Sequence, residues 1–393
     1  MTSTARRLDS SPLPAGLRTA PSADTELDAL YAAFAEAHLN PLWTQIGDLM
    51  PTTPASTAVA HVWRWADMLP LAERAGDLVP VGRGGERRAI ALANPGLGGR
   101  PYVSPTLWAA IQYLGGRETA PEHRHSQNAF RFVLHGEGVW TVVDGDPVAM
   151  RRGDLLLTPG WHFHGHHNET DDPMVWLDGL DIPLSQHLDT GFFDVGRDGV
   201  SDMSTPHVSR AERLWAHPGL RPLVGLDETS SSPIPAYRWE HTDAALREQL
   251  SLSDEGYPAV PEPGHAAIRY TNPTTGGDVL PTIRAEFHRI LPDARTAPRH
   301  DVGSTVFQVF AGGGTITLGD DDPRPLRVGD VVVVPSWVPW SITGRTEGAA
   351  GSSKSTGDLG TPPETASGID LFAFSDAPVM ERLHFHRPLD HRR

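Results

Sequence analysis

Five histidines at alternating positions could hold a metal ion. His123 and His125 lie just ahead of an apolar run in "PEHRHSQNAFRFV", and His162, His164 and His166 follow an apolar run in "GDLLLTPGWHFHGHHN". Residues i and i+2 of a β-strand project to the same face, so each group can point into the interior of a barrel. Two adjacent antiparallel strands would then supply two imidazoles from one strand and at least one from the other. That is the minimum for a catalytic metal with open coordination positions.

The composition limits the available ligands and partners. The 393 residues include no cysteine, which excludes disulfides, thiolate zinc sites, iron–sulfur clusters and a cysteine nucleophile. Any metal must therefore be held by histidine or carboxylate. The formal net charge is −16 without a basic block, so we expect neither nucleic acid nor an anionic membrane as a partner. The N-terminus has no signal-peptide pattern and no run reaches the roughly 18 apolar residues of a membrane span, which predicts a cytoplasmic protein.

Helices and two β-rich blocks would position these histidines. The apolar spacing of "DTELDALYAAFAEAHLN" predicts a helix after a mobile arm, and "STAVAHVWRWADML" predicts a second helix that ends at Pro70. Short β-rich runs broken by Gly, Pro and Asp, typical of an antiparallel barrel or sandwich, begin at Glu86 and again at His265. The second block is interrupted by a predicted flexible loop from Gly344 to Gly368. We therefore predict four regions: an N-terminal arm with helices (1–85), a catalytic barrel (86–195), a partly helical connector (196–264) and a second barrel with a C-terminal tail (265–393).

The two β-rich blocks are copies of one unit. When Gly138 is aligned with Gly314, an offset of 176 residues, six further positions carry the same residue type without a gap. In the first block these are Gly136, Asp146, Gly153, Asp154, Pro159 and Trp161. The residues that could do chemistry are replaced: His123 by Arg299, His125 by Asp301, His164 by Trp340 and Arg131 by Phe307. We therefore predict that the second barrel has lost its metal.

The order of these segments is similar to that of the cupin superfamily, in which an H-x-H pair and an apolar strand precede Gly-Asp, Pro and Trp and a closing histidine. More narrowly, "LWAAIQYLG", "PEHRHSQNAFRFV", "GDLLLTPGWHFHGHHN" and "MVWLDGLDIP" together resemble the gentisate 1,2-dioxygenase family of ring-cleaving bicupins. The resemblance extends from the N-terminal helices to the C-terminal barrel. It implies a mainly β bicupin, with two jelly-roll β-barrels and N-terminal and connecting helices. It also implies a homo-oligomer, which in this family is a tetramer.

The resemblance further implies the metal, iron(II), and its ligands His123, His125 and His164. Many cupins add a glutamate three or four residues after the second histidine. Here that segment consists of Asn128, Ala129 and Phe130, so no carboxylate ligand is expected. Three neutral imidazoles leave coordination positions for a bidentate substrate and dioxygen, and they leave the double charge of the metal undiminished. An anionic chelator such as a 2-hydroxybenzoate is therefore favoured.

Arg131, His166 and Asp178 are the catalytic candidates. Arg131 lies six residues beyond His125, an even step that would return it to the same strand face, and its bidentate fork suits a substrate carboxylate. A surface arginine on a strand edge is the alternative interpretation. The resemblance implies that His166 lies near the substrate hydroxyl as a hydrogen-bond or proton-transfer partner. It also implies that Asp178 belongs to the pocket.

Arg87, Trp108 and Gln112 are candidates for substrate binding. Trp108 and Gln112 alternate correctly for one strand face, as a wall and a polar contact, although both could also be simple core. Arg87 matches a family arginine near the carboxylate, but a slip of one residue would exchange it for Arg88. His162 could line the mouth of the site, pack or remain exposed.

The resulting prediction is an Fe(II)-dependent, extradiol-type dioxygenase of aromatic catabolism. Its partners would be a small aromatic acid and O2, and gentisate (2,5-dihydroxybenzoate) would open between the carboxyl- and hydroxyl-bearing carbons to give maleylpyruvate. Salicylate and 1-hydroxy-2-naphthoate are the alternative substrates, because dioxygenases for these acids share the same segments. Two further alternatives are a non-catalytic cupin and a zinc sugar isomerase, which would want more carboxylates and amides facing the ligand.

Overall fold

The computed structural model describes residues 25–81, 88–196, 208–224, 227–346 and 368–385. The chain divides into two compact units, residues 1–55 and 56–393. The described part of the first unit has three short elements: helix α1 (Thr25–Glu36), a 3-10 turn (Leu42–Thr44) and helix α2 (Ile46–Leu49). Trp43 Nε1 donates to the Tyr31 hydroxyl (3.3 Å), which fastens the turn to α1. The predicted N-terminal arm and most of the predicted loop after Gly344 lie outside the described residues.

The second unit begins with strand β1 (His61–Trp63) and helix α3 (Trp65–Leu78). The stretch predicted as one helix is therefore a strand followed by a helix, and Pro70 lies inside α3 instead of ending it. The helix loses one hydrogen bond at Pro70 and continues. The described helices of the chain do not combine the length and apolar character that a membrane crossing requires.

The first barrel consists of two antiparallel sheets. In chain order its strands and helices are β2 (Ala89–Ala91), β3 (Trp108–Leu114), β4 (Thr119–His125), β5 (Ala129–His135), β6 (Glu137–Val143), β7 (Asp146–Arg151), β8 (Leu155–Thr158), β9 (His164–Asn168), β10 (Met174–Leu180), α4 (Ile182–His187), β11 (Phe193–Val195), α5 (Arg210–Trp215) and β12 (Ala236–Tyr237). One sheet has the order β12-β8-β5-β10-β3-β2, and the other has the order β11-β4-β9-β6-β7.

The second barrel follows a long helix. Its elements are α6 (Trp239–Asp254), β13 (His265–Arg269), β14 (Arg284–Ile290), β15 (Thr305–Leu318), β16 (Arg324–Arg327), β17 (Val331–Val334), β18 (Trp340–Gly344), β19 (Ile369–Ser375) and α7 (Ala377–Arg382). The main sheet has the order β1-β17-β15-β19-β14-β13, and β16 and β18 also pair with the long strand β15. The helix predicted in the connector is α6.

The two barrels share an apolar core between their facing sheets. Along β5, Phe130 and Phe132 belong to this shared core, whereas Val133 belongs to the interior of the first barrel. The ring of Phe132 stacks on that of Phe372 in β19, with centroids 4.1 Å apart. Residues that alternate along a strand face opposite sides, so one face of β5 fixes the second barrel and the other face is available to a site.

The first strand of each repeat lies in the sheet of the other barrel. Strand β1 precedes the first barrel but pairs with β17, and β12 precedes the second barrel but pairs with β8. An arginine after each strand anchors the exchange: Arg64 donates to Asp330 (2.7 Å), and Arg238 donates to Asp154 (2.7 Å). The backbone N–H of the following tryptophan binds the other oxygen of the same carboxylate, at 3.0 and 2.9 Å. Each repeat therefore also includes a short strand, an Arg-Trp pair and a helix, which the alignment of the β-rich blocks did not contain.

Candidate metal centre and active site

The predicted metal ligands lie on two paired strands of the first barrel. His123 and His125 are at the end of β4, and His164 begins β9, where it is the cross-strand partner of His123. Their relative exposures are 9%, 8% and 0%, so the group lies inside the barrel. One candidate ligand atom from each residue lies within 4.8 Å of the others. The structure therefore brings the three predicted ligands together.

Each ring of this histidine triad is fixed through Nδ1. The carbonyl oxygens of Pro121, Gln127 and His162 accept hydrogen bonds from the three rings in chain order, at 3.1, 2.9 and 3.0 Å. A carbonyl oxygen only accepts, so each Nδ1 carries the proton and each Nε2 carries a lone pair. His164 Nε2 is buried without a hydrogen-bond partner, and a bound metal ion would satisfy it. This set of imidazole nitrogens fits a divalent transition metal, and within the described ranges no carboxylate belongs to the group.

The electrostatic surroundings favour the ligand form of His164. Burial, and then the positive charge of Arg131, hold the pKa of His164 well below its usual range. The ring is therefore neutral near pH 7, and metal binding there releases no proton from it.

Arg131 reaches the interior by a different route from the one predicted. The even-step argument from His125 is wrong, because β4 ends at His125 and residues 126–128 lead the chain into β5 of the opposite sheet. Arg131 is 4% exposed, so the surface alternative is also wrong. Its Nη1 donates to Thr158 Oγ1 (2.8 Å), and its Nε lies 3.5 Å from Asp178 Oδ1 without forming a hydrogen bond. The guanidinium therefore retains a buried donor in need of a partner.

Asp178 lies beside Arg131 because the two are cross-strand partners of β10 and β5. Trp176 Nε1 donates to Asp178 Oδ1 (3.0 Å). Burial raises the pKa of Asp178 to about 6, while the charge of Arg131 and the tryptophan hydrogen bond act in the opposite direction. The buried carboxyl group is therefore harder to ionise than an exposed aspartate.

His166 lies two residues after His164 on β9 and is buried. Its Nδ1 is 2.8 Å from Thr141 Oγ1, and the same hydroxyl is 3.2 Å from Met150 Sδ. The sulfur only accepts, so the hydroxyl donates to it and accepts from Nδ1, which leaves a lone pair on His166 Nε2. Sequence reasoning missed Thr141 and Thr158. The available signal was a single threonine in each of two apolar runs, "GVWTVV" and "LLLT".

Trp108, Ala110 and Gln112 share the interior face of β3. The residues between them, Ala109 and Ile111, belong to the core shared with the second barrel. Ala110 is the cross-strand partner of Asp178, and Gln112 is that of Trp176. Gln112 and Ala110 are buried, and Trp108 is partly buried. The pocket candidates on β3 therefore lie in the same barrel interior as Asp178.

The two arginines considered for substrate binding, Arg87 and Arg88, are not found in the pocket of the described structure. Arg87 lies outside the described residues. The buried Arg88 forms an ion pair with the partly buried Glu118 and donates to the carbonyl oxygen of Val79 (3.0 Å) just after α3, so it is occupied away from the pocket.

The alternating pattern predicted that His162 lies on β9 with His164 and His166. This prediction is wrong. His162 precedes the strand, is half-exposed and lies 2.5 Å from Asp144 Oδ2. With Trp161 it lines a cavity of about 690 Å³ between the barrel and the segment 229–235. The histidine triad does not line that cavity, so the side chain of His162 lies apart from the triad, although its carbonyl oxygen accepts from His164 Nδ1.

In the second barrel the corresponding positions are filled by other side chains. The ring of Phe307 meets that of Trp340 edge-on, with centroids 4.9 Å apart. Trp340 Nε1 donates to Asp301 Oδ2 (3.4 Å), and the guanidinium of Arg299 lies 5.6 Å from the tryptophan ring centroid. These contacts occupy the positions of the four replaced residues, and the absence of a second metal remains a prediction.

Comparison with known proteins identifies the family. A cupin domain model matches residues 110–180. The chain is 57% identical over 361 residues to gentisate 1,2-dioxygenase of a Streptomyces species, which covers 92% of this chain and 94% of the relative. It is 35% identical over 369 residues to 5-aminosalicylate 1,2-dioxygenase of a Comamonas species, with coverage of 93% and 91%. A crystal structure of salicylate 1,2-dioxygenase from Pseudoaminobacter salicylatoxidans with gentisate matches with a TM-score of 0.86, 62% identity and coverage of 94% and 95%.

These likenesses exclude the non-catalytic and sugar-isomerase alternatives, since the relatives that match almost the full chain are dioxygenases. The chain therefore belongs to the cupin family of gentisate and salicylate 1,2-dioxygenases, and it is a ring-cleaving enzyme of that type with a mainly β bicupin fold.

Proposed function

We propose that the enzyme opens gentisate with O2 in an Fe(II)-dependent, extradiol-type reaction that gives maleylpyruvate. The observation that carries the proposal is a buried triad of imidazole donors in the same barrel as Arg131 and His166. Three neutral ligands leave the double charge of iron(II) undiminished. This favours a substrate with a carboxylate and an adjacent hydroxyl oxygen, which can chelate the metal.

The side chains around the triad have separate roles in this proposal. The triad would hold iron(II), which supplies Lewis acidity and redox chemistry with dioxygen. Arg131 binds the substrate carboxylate, and Thr158 and Asp178 hold the guanidinium in position. His166 accepts a hydrogen bond from a ring hydroxyl through Nε2, because Thr141 keeps the proton on Nδ1. The bond between the carboxyl-bearing and hydroxyl-bearing carbons breaks, and both atoms of O2 enter the product, so no further reductant is needed.

Gentisate is the proposed substrate for an electronic and a steric reason. Its second hydroxyl lies para to the first and raises the electron density of the ring, which eases electron transfer to dioxygen. Ala110 adds a methyl group on the interior face of β3, which disfavours a second ring, and His166 offers a polar partner for the extra hydroxyl. Gentisate is the substrate in the name of one relative and the bound molecule in the structure of another. Salicylate is the second candidate, because the relative of known structure is named salicylate 1,2-dioxygenase.

The deciding experiment is anaerobic reconstitution with iron(II), followed by oxygen uptake with gentisate, salicylate and 1-hydroxy-2-naphthoate in parallel. We expect gentisate to be preferred by at least about tenfold in kcat/KM, which corresponds to roughly 1.4 kcal/mol of differential transition-state binding. His164→Ala is the control and should lose both metal and oxygen uptake. Equal rates, or preference for a monohydroxylated acid, would overturn the substrate while leaving the ring-cleaving class intact.

A cytoplasmic location and self-association as a tetramer complete the proposal. Light scattering coupled to size-exclusion chromatography tests the tetramer, and a monomer in solution would contradict it.

A further inference from the structure

The two barrels exchange a pair of threonine–aspartate hydrogen bonds. Thr282, just ahead of the second-barrel strand β14, donates to Asp181 Oδ2 at the end of β10 (2.5 Å). Reciprocally, Thr106, ahead of the first barrel strand β3, donates to Asp376 at the end of β19. Thr106 and Thr282 are 176 residues apart, the offset of the internal repeat. The contacts are therefore equivalent by the internal symmetry of the chain.

Asp181 holds the loop that positions one metal ligand. Its carboxylate accepts from the backbone N–H of Asn128 (3.0 Å) and from Asn128 Nδ2 (3.1 Å), which also donates to Thr282 Oγ1 (3.2 Å). The preceding residue, Gln127, supplies the carbonyl oxygen that accepts from His125 Nδ1 (2.9 Å). A hydrogen bond from the second barrel thus reaches His125 through two consecutive loop residues.

The same loop is held tightly on its other side. Gly160 N–H donates to Asn128 Oδ1 (3.3 Å), and a side chain on Gly160 would place a Cβ 2.4 Å from the carbonyl oxygen of Ser126. The Trp161 N–H donates to the carbonyl oxygen of His125 (2.7 Å). The position of Asn128 is therefore coupled to the backbone of His125 and Ser126.

The equivalent contact in the second barrel holds a loop without a ligand. Asp376 accepts from the backbone N–H of Ser304 (2.8 Å), which corresponds to Asn128 in the repeat. The Trp337 N–H donates to the carbonyl oxygen of Asp301 (2.9 Å), as Trp161 does to His125. Asp301 takes the place of His125, so the same hydrogen-bond scheme orients a carboxylate there.

We propose that Thr282 is a positioning residue for the metal site, through which the second barrel sets the orientation of His125. The proposal rests on the proposed metal-dependent function. It gives the second barrel, whose described residues include no histidine triad, a role in the chemistry of the first barrel. A ring partner outside the ligand shell fixes ring orientation, and its loss typically weakens metal binding by about 10- to 100-fold.

The internal symmetry supplies a matched control for the test. Thr282→Val removes the hydroxyl that reaches the ligand loop, and Thr106→Val removes the equivalent hydroxyl that reaches the loop of Asp301. Affinity for iron(II) is measured anaerobically on the full-length protein by competition with a chromogenic chelator, and stability is measured by urea denaturation. We expect Thr282→Val to raise the Kd for iron(II) about five- to tenfold, at or below the low end for a direct ring partner, because the hydroxyl acts on His125 through Asp181 and residues 127–128. Thr106→Val should leave that Kd within about twofold, although both variants lower the unfolding midpoint.

Thr282→Ser keeps the hydroxyl and should restore the wild-type Kd, and Thr282→Ala provides a second deletion of the hydroxyl. An unchanged Kd in Thr282→Val and Thr282→Ala, or an equal loss in Thr106→Val, would overturn the positioning role while His164→Ala still abolishes binding. If the wild-type protein binds no iron(II), or binds it no more tightly than His164→Ala, the metal site itself would be refuted.

Discussion

Replacing Arg131 should impair substrate use without removing the metal. In Arg131→Ala the guanidinium that is bound to Thr158 and lies 3.5 Å from Asp178 is lost, but none of the three metal ligands changes. A charge-assisted contact with the substrate carboxylate contributes about 1.5–3 kcal/mol, and lost orientation adds to this. Each 1.36 kcal/mol is tenfold in rate, so kcat/KM should fall about 100-fold. Iron content by elemental analysis and oxygen uptake with gentisate give the two readouts.

A partly buried arginine outside the pocket provides the control. Arg152 donates to the carbonyl oxygens of Leu134 (3.0 Å) and Phe310 (2.6 Å) between the barrels. Arg152→Ala should lower the free energy of unfolding but leave kcat/KM within a few-fold, because its contacts lie outside the site. Normal turnover by Arg131→Ala, or an equal loss in Arg152→Ala, would show that Arg131 has only a structural role.

Three further outcomes follow from the same contacts. We expect about one metal ion per chain by elemental analysis and none after His123→Ala with His164→Ala; two ions per chain would contradict a metal-free second barrel. Thr141→Val, which loses the hydrogen bond to His166, should lower kcat about tenfold with normal iron content, and Thr141→Ser should recover the rate in the same oxygen-uptake assay. Burial raises the pKa of Asp376 to about 6, so the protonated carboxyl is favoured in the folded state. The protein should therefore lose up to about 3 kcal/mol of stability relative to Asp376→Asn as the pH rises from about 4 to 6. Parallel urea midpoints for both proteins across this range would refute that assignment.

Strand periodicity was sufficient to predict two groups of histidines on strand faces, and the family resemblance was needed to select His123, His125 and His164 from them. His123 and His125 had to share a face once the segment was a strand. Contrary to the expectation from the sequence, the apolar run before His164 does not belong to the histidine strand, because it forms β8 of the opposite sheet and His164 begins the separate strand β9. The period failed at the strand ends, because periodicity does not show where a strand stops. His162 was therefore wrongly included in β9. Arg131 was wrongly placed on the strand of His125, because that strand ends at His125.

Long-range pairing was the part that the sequence did not reveal. The segment around His61 has helical spacing, but its backbone pairs with Val331–Val333 of β17, and a partner so distant leaves no local signal. The contact of Thr141 with His166 likewise depends on the register between β6 and β9. The internal repeat could have revealed the exchange of β1 and β12, because an Arg-Trp pair precedes each barrel. The distance between the two Arg-Trp pairs, however, differs from the offset of the β-rich blocks.

The exchange of β1 and β12 bears on how the chain matures during synthesis. When the ribosome has completed the first barrel through β10, the edge of β8 is still open, and Asp154, which is 1% exposed in the native fold, has no arginine partner. The edge of β8 is paired, and Asp154 gains its arginine partner, only when residues 236–239 leave the ribosome. Strand β1 must wait longer still, until β17 has been made. A chain cut between the barrels therefore leaves an open strand edge and an uncompensated carboxylate in each piece, conditions that promote aggregation. The two barrels consequently behave as one folding unit, despite the internal repeat that suggests two.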